Sequence, residues 1–240
     1  FPNVFGKWCR PNYNSAVATF CFNIAHGLRI RIDDPEHLLT LVYIDDIVDE
    51  LLRAPGGKPT KDGDFCVSPV THAAKLGDNA ELLYSFKAAR EERIIPDLSD
   101  PFAAKLYATY ISYVPENELG LPLTMHSDER GSFTEIFRTP DRGQVSINIS
   151  EPGITKGNHW HHSKSEKFIV VSGNGLIRCR KIGTDRVIEY PVSSDSLVSV
   201  DIPPGYVHSI TNTGGGELVT LMWASECFDL NKPDTYYEEV

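Results

Sequence analysis

GITKGNHWHHSKSEKFIVVSG, residues 153–173, holds three of the chain's eight histidines within four positions, then Glu166, with glycine at both ends. His159 and His161 are two apart, so on an extended strand they project from the same face. Glu166 opens a new apolar alternation, with Phe168 and Val170 on its side. If His-Ser-Lys-Ser at 162–165 is the turn, Glu166 returns beside the two imidazoles. Two neutral imidazoles and a carboxylate suit Zn2+ or a similar divalent ion. Further along, Pro203-Pro204-Gly205-Tyr206-Val207-His208 reads as a tight turn leading into a strand that can supply a third imidazole. The expectation is a metal pocket in a β-barrel. A histidine-rich surface turn is the plain alternative.

A chain of 240 residues can form one large domain or two small ones, and 41% hydrophobic with 23% charged residues is ordinary for a soluble globular protein. The net charge of −10 argues against general binding to nucleic acid or an anionic membrane, while leaving room for a local basic pocket. No apolar run approaches the roughly 20 residues of a membrane span. The opening FPNVFGKWCRPN has no signal-peptide pattern and no initiating Met. Cys9, Cys21, Cys66, Cys179 and Cys227 are scattered and lack CxxC pairs, which reads as reduced thiols in a cytoplasmic protein.

Hydrophobic spacing predicts helices over 13–26, 45–52, 79–90 and 102–113, the last opened by Ser99-Asp100-Pro101. Short strands are expected at 30–32, 40–43 and 65–70. From Leu123 onward only short strands divided by turn residues are expected, the pattern of a sandwich or barrel. The polar stretch PENELGLP at 115–122 marks the domain boundary. Trp160 should point away from the ligands, His26 should serve a helix end, and His72 and His126 are isolated.

Gly153, His159, His161, Glu166 and Gly173 resemble the first cupin motif, G-x5-H-x-H-x3,4-E-x6-G. Pro203, Gly205, His208 and Asn212 follow the second, G-x5-P-x-G-x2-H-x3-N, with Leu197 where its leading glycine would stand. The resemblance implies a cupin β-barrel (a jelly roll), a metal held by His159, His161, Glu166 and His208, Zn2+ first among the choices, and a homodimer through this domain. Pro2-Asn3-Val4-Phe5-Gly6, Arg10-Pro11 and Leu41-Val42-Tyr43-Ile44-Asp45-Asp46 resemble the C-terminal part of an extended short-chain dehydrogenase/reductase of the nucleotide-sugar epimerase type. The Gly-rich loop and the Tyr-x-x-x-Lys that precede this region in that family are absent, and no GxGxxG occurs. The expected organisation is multidomain, α/β then all-β: residues 1–114 as the substrate-binding part of the reductase without its Rossmann cofactor half, and 115–240 as the cupin. NADPH would belong to the missing N-terminal half. An independent small α/β adaptor is the alternative for the first part.

This order of domains resembles the bifunctional capsular-polysaccharide enzymes of the CapF/WbjC type. That resemblance implies a cupin that epimerises C3 of a UDP-4-keto-6-deoxy-HexNAc, on the way to UDP-N-acetyl-L-fucosamine, and a reductase that reduces the C4 ketone with NADPH. Residues 128–173 also resemble the metal-free dTDP-4-keto-sugar epimerases. Asp128, Arg130, Gly131, Phe133 and Glu135 follow D-x-R-G-x-F-x-E, and Gln144, Asn148 and Ser150 follow Q-x-x-x-N-x-S. Glu166 stands where those enzymes carry a catalytic Lys, and His161 where they carry Gln. Substrate contacts are then expected at Arg130, Glu135, Gln144 and Asn148, with Arg130 gripping the pyrophosphate. His159 is the base in the metal-free enzymes. As a ligand its lone pair is engaged, and Lys156, Tyr206 and His162 are the nearest groups left to move the proton. Two other readings stand beside the epimerase: an Fe-dependent cupin oxygenase, and a non-catalytic sugar-binding or dimerisation module with a structural metal.

Overall fold

In the computed structural model, which describes residues 1–240, Asn3–Phe5 (β1) pairs in parallel with Leu38–Tyr43 (β2). Parallel neighbours need a crossover, and Ala16–Ala25 (α1) supplies it. The Ser15 hydroxyl caps α1 by accepting the Ala18 N–H at 3.2 Å, and Val17, Phe20, Cys21 and Ile24 are buried at helical spacing. Ile44–Arg53 (α2) leaves β2 without a loop, with Asp45 and Asp46 in its first turn, where carboxylates suit the helix dipole. A short hairpin follows, Lys61–Asp62 (β3) with Phe65–Cys66 (β4), then His72–Lys75 (β5), antiparallel to β2. Leu76–Glu91 (α3) and Pro101–Ile111 (α4) complete this part, α4 opening with the Asp100 carboxylate on the Ala103 N–H at 2.8 Å. Phe5, Leu41, Leu83, Phe86 and Leu106 lie in one buried core.

Two expected strands differ. Residues 30–32 form no ladder; Ile30 and Ile32 pack on the core as irregular chain. The strand expected over 65–70 shrinks to β4.

From Met125 the chain is built of strands: Met125–Asp128 (β6), Gly131–Thr139 (β7), Gly143–Ser150 (β8), Thr155–Trp160 (β9), Glu166–Ser172 (β10), Asn174–Lys181 (β11), Val187–Ser193 (β12), Ser199–Ile202 (β13), Tyr206–Asn212 (β14), Leu218–Ala224 (β15) and Tyr236–Tyr237 (β16). They form two antiparallel sheets, ordered β13-β10-β15-β8-β7-β6 and β12-β11-β14-β9-β16. The chain passes repeatedly from one sheet to the other, which is the jelly-roll arrangement. The chain divides into two compact units, residues 1–92 with 96–121 and residues 93–95 with 122–240. No helix is long and apolar enough to cross a membrane.

The interior of the jelly roll is of two kinds. Phe168, Val170, Ile177, Val200, Ile202 and Leu218 make an apolar core. On β8 the usual alternation is reversed: Gln144, Ser146, Asn148 and Ser150 are buried, while Val145, Ile147 and Ile149 are only partly so. Gln144, Ser146 and Asn148 line a cavity.

Candidate metal centre and its cavity

β9, β10 and β14 bring the centre together. His159 stands opposite His208 across the β9–β14 ladder, and Glu166 is the first residue of β10. The ladder is not regular. His208 pairs with His159 and Ser209 with Gly157, so Asn158 is the extra residue of a bulge, with φ 54°. On a regular strand Lys156 and His159, three apart, would face opposite sides; the bulge turns both into the cavity. Gly157 makes this possible. Its φ is 100°, and a Cβ there would sit 2.8 Å from the His208 carbonyl oxygen.

One potential ligand atom each from His159, His161, Glu166 and His208 falls within a cluster no more than 4.8 Å across. Glu166 Oε2 lies 3.0 Å from His208 Nε2 and 3.3 Å from His161 Nε2, and the three side chains are almost wholly buried. His161 Nδ1 meets the Asp234 carbonyl and His208 Nδ1 the Tyr206 carbonyl at 3.2 Å. A carbonyl only accepts, so each Nδ1 carries the hydrogen, and a neutral ring then turns an Nε2 lone pair toward Glu166. His161 Nε2, His208 Nε2 and Glu166 Oε2 have no partner in hydrogen-bond geometry. Three buried acceptor atoms facing one another is costly without a cation among them, and these donors suit a divalent ion of the zinc type.

The electrostatics follow from the same contacts. Burial, then His208 and His161, push His159 down to about 4. Burial also opposes the charge on Glu166, but His161 and His208 outweigh it and hold the carboxyl well below the usual range. For His161 burial is outweighed by Glu166 and the Asp234 carbonyl, and its pKa rises.

These residues line a cavity of about 890 Å³. Of the residues expected to contact substrate, Gln144, Asn148 and Arg130 line it and Glu135 does not. Glu135 instead stands 3.9 Å from Arg138. Arg130 is largely exposed and ion-paired with Asp128 at 2.6 Å. Lys156 enters the cavity with its ammonium on Asn148 Oδ1 at 2.8 Å and the Ile149 carbonyl at 2.7 Å, and burial lowers its pKa. Tyr206 packs against the apolar core, and neither it nor His162 lines the cavity. Trp160 points away from the ligands and stacks on Tyr236 at 4.5 Å. His126, expected to be isolated, lies on the cavity wall. In the first unit His72 sits 3.4 Å from Lys105, whose ammonium pairs with Asp46 at 2.6 Å.

Two residues outside the expected set also shape the site. Lys164 is 7% exposed and lines the cavity, although a lysine in a turn ordinarily reaches solvent. Its spacing of two from Glu166 was the available signal. Asp234 lies in no motif. Its carboxylate receives the backbone N–H groups of His162, Ser163 and Lys164 at 2.9–3.2 Å. Burial opposes its charge, but those donors outweigh it and hold it well below the usual range.

Residues 126–236 match the polysaccharide biosynthesis C-terminal domain family. Over 235 residues the chain is 42% identical to the Pseudomonas aeruginosa protein named UDP-2-acetamido-2,6-beta-L-arabino-hexul-4-ose reductase, covering 98% of this chain and 63% of that protein. It superposes on the capsular polysaccharide assembling protein CapF of Staphylococcus aureus at 54% identity with a TM-score of 0.96, over all of this chain and 65% of the other. A second crystal form of that protein gives the same TM-score with 70% of it covered. CapF crystallised with the inhibitor 3-isopropenyl-tropolone matches at 0.95. The chain thus spans just under two thirds of the Pseudomonas protein and of the first CapF chain. Identity, coverage and superposition together make this chain a member of the CapF family of capsular polysaccharide assembling proteins.

Proposed function

We propose that the jelly-roll unit is a metal-dependent epimerase acting on C3 of a UDP-4-keto-6-deoxy-HexNAc in capsular or O-antigen precursor synthesis. In a longer protein it would be coupled to NADPH-dependent reduction of the C4 ketone, with residues 1–114 as the substrate-binding part of that reductase. The observation that carries the reading is the set of three unpartnered buried acceptors beside His159, lining a cavity large enough for a sugar. The relative's name adds the substrate class, since its sugar is a UDP-linked 4-ketose.

A C3–H beside a C4 ketone is acidic because the carbanion delocalises onto the ketone oxygen. Epimerisation removes that proton from one face and returns one to the other. A divalent ion held by His159, His161, Glu166 and His208, Zn2+ by donor type, would supply positive charge for the developing enolate. Lys156 is the expected group in the cavity able to carry a proton, its burial bringing it nearer the neutral form. Gln144 and Asn148 offer amides to the sugar, and Arg130 at the rim would exchange Asp128 for the pyrophosphate. The inhibitor in the CapF crystal supports a metal: a tropolone carries adjacent keto and hydroxyl oxygens, a grip for a divalent ion.

A structural-metal module is the second reading, and the cavity weighs against it, because structural sites are closed by their ligands. The reading includes a cytoplasmic enzyme that dimerises through the jelly roll, where β8 and β15 turn Val145, Ile147, Leu221 and Trp223 outward from the cavity, only partly buried. Deuterium incorporation from D2O into the UDP-4-keto sugar, followed by NMR, tests the activity. Exchange at C3 that disappears with chelation and returns with metal is expected. Its absence in folded, metal-loaded protein sinks the epimerase, and a requirement for O2 would mark an oxygenase instead.

A further inference from the structure

The segment after β15 holds the loop between two of the proposed ligands. Residues 162–164 connect His161 to the stretch that leads into Glu166, so the conformation of this turn sets where His161 stands relative to the carboxylate. All three of its backbone N–H groups converge on one side chain, Asp234: His162 at 2.9 Å on Oδ1, Ser163 at 3.0 Å and Lys164 at 3.2 Å on Oδ2. The Ser163 hydroxyl, 3.1 Å from the same carboxylate, is shared with Glu226 at 2.9 Å. Three successive amides on one anion make a nest, which fixes a turn far more firmly than solvent would.

The same residue reaches the ligand through its backbone. Its carbonyl accepts the His161 Nδ1 hydrogen, which leaves Nε2 bare on the side of Glu166. Asp234 does this from φ 42°, in the left-handed region that aspartate enters more readily than most residues. The chain that follows is anchored to β9. Beyond Asp234, Tyr236 and Tyr237 pair with Trp160 and His159 of β9, Tyr236 stacks on Trp160, and the Glu238 N–H donates to the Asn158 carbonyl at 3.0 Å. Arg180 holds the far end through Glu238 and the Glu239 carbonyl, each at 2.7 Å.

We infer that Asp234 is a positioning residue for the centre: its carboxylate clamps the 162–164 turn while its carbonyl selects the His161 tautomer that presents Nε2 to a metal shared with Glu166. The inference rests on the metal reading of the site. Its first readout does not require a metal.

The test uses the full 240-residue chain, labelled with 15N at histidine, and three forms: wild type, Asp234→Gly and Asp234→Asn. Glycine tolerates the backbone conformation and removes the carboxylate, though it also frees the backbone, which Asp234→Asn does not. Asparagine keeps one acceptor oxygen. In metal-free protein, long-range 1H–15N spectra are expected to find wild-type His161 as the Nδ1–H tautomer and Asp234→Gly as a mixture. Zinc affinity, measured against a competing chelator, is expected to fall about 10–100-fold in Asp234→Gly, with Asp234→Asn between. Loss of fold alone would not change which ring nitrogen carries the hydrogen while leaving the other histidines unmoved. A wild-type tautomer and wild-type zinc affinity in Asp234→Gly overturn the inference. Should that variant not fold, Asp234→Asn decides in the same way, and wild-type behaviour overturns it. A wild-type chain that binds no zinc removes the metal reading, and the tautomer comparison then tests Asp234 alone.

Discussion

Glu166 is the residue on which both buried imidazoles converge, and its charge is what a lone pair cannot supply. Glu166→Gln keeps the shape and lets an amide N–H reach one of the bare Nε2 atoms, so the jelly roll is expected to stay folded. Zinc affinity should drop at least about 100-fold, more than for loss of a supporting contact. Chelator competition measures it, and unchanged affinity would remove Glu166 from the ligand set. His159 makes a separate prediction about acid. Its folded pKa is about 4, against roughly 6.5 in an unfolded chain, so below pH ~6.5 the unfolded state takes up a proton that the folded state refuses. Metal-free protein should therefore lose stability from pH ~6.5 down toward about 4. His161 acts with the opposite sign: its raised pKa gives stability that is full below its unfolded value and is lost as pH rises through the folded one. His159→Asn should flatten the acid limb alone, as read by thermal melts across this range; an unaltered limb would show that another group carries it.

At the scale of elements, the bulge in β9 sets the geometry of the site. Gly157→Ala puts a Cβ 2.8 Å from the His208 carbonyl oxygen and forces a side chain into φ 100°. The expected cost is about 1–3 kcal/mol, with a loosened β9–β14 ladder and weaker zinc binding. A variant as stable as wild type with full zinc affinity would mean the ladder tolerates a regular register. This bulge also marks where sequence reading stops. His159, His161 and Glu166 were legible because spacings of two and a short turn have few geometric solutions. Lys156 was named as a neighbour in sequence, but its entry into the cavity depends on one extra residue, Asn158, that no periodicity signals. Tyr206, two residues before His208 on the same strand, packs against the apolar core and does not line the cavity. The segment at 30–32 has the composition of a strand, yet Ile30 and Ile32 pack on the core as irregular chain and join no ladder.

At the scale of the molecule, the jelly roll was legible because turn residues divide short apolar runs from Leu123 onward. What was not legible is the contribution of residues 234–239, which are distant in sequence from the ligands and carry no motif, yet pair with β9 and hold the 162–164 turn. Such contacts come from tertiary structure alone. The reversed alternation of β8, polar inside and apolar outside, is likewise a property of the sandwich: it makes the difference between a filled core and a cavity of about 890 Å³. The proposed chemistry needs that cavity and a cation within it. The most direct measurement is the metal content of the chain after zinc loading and gel filtration, for wild type and for His208→Ala. A single divalent ion per wild-type chain, lost from His208→Ala while the jelly roll remains folded, is the predicted result. A folded wild-type chain that retains no ion would contradict the account at its centre.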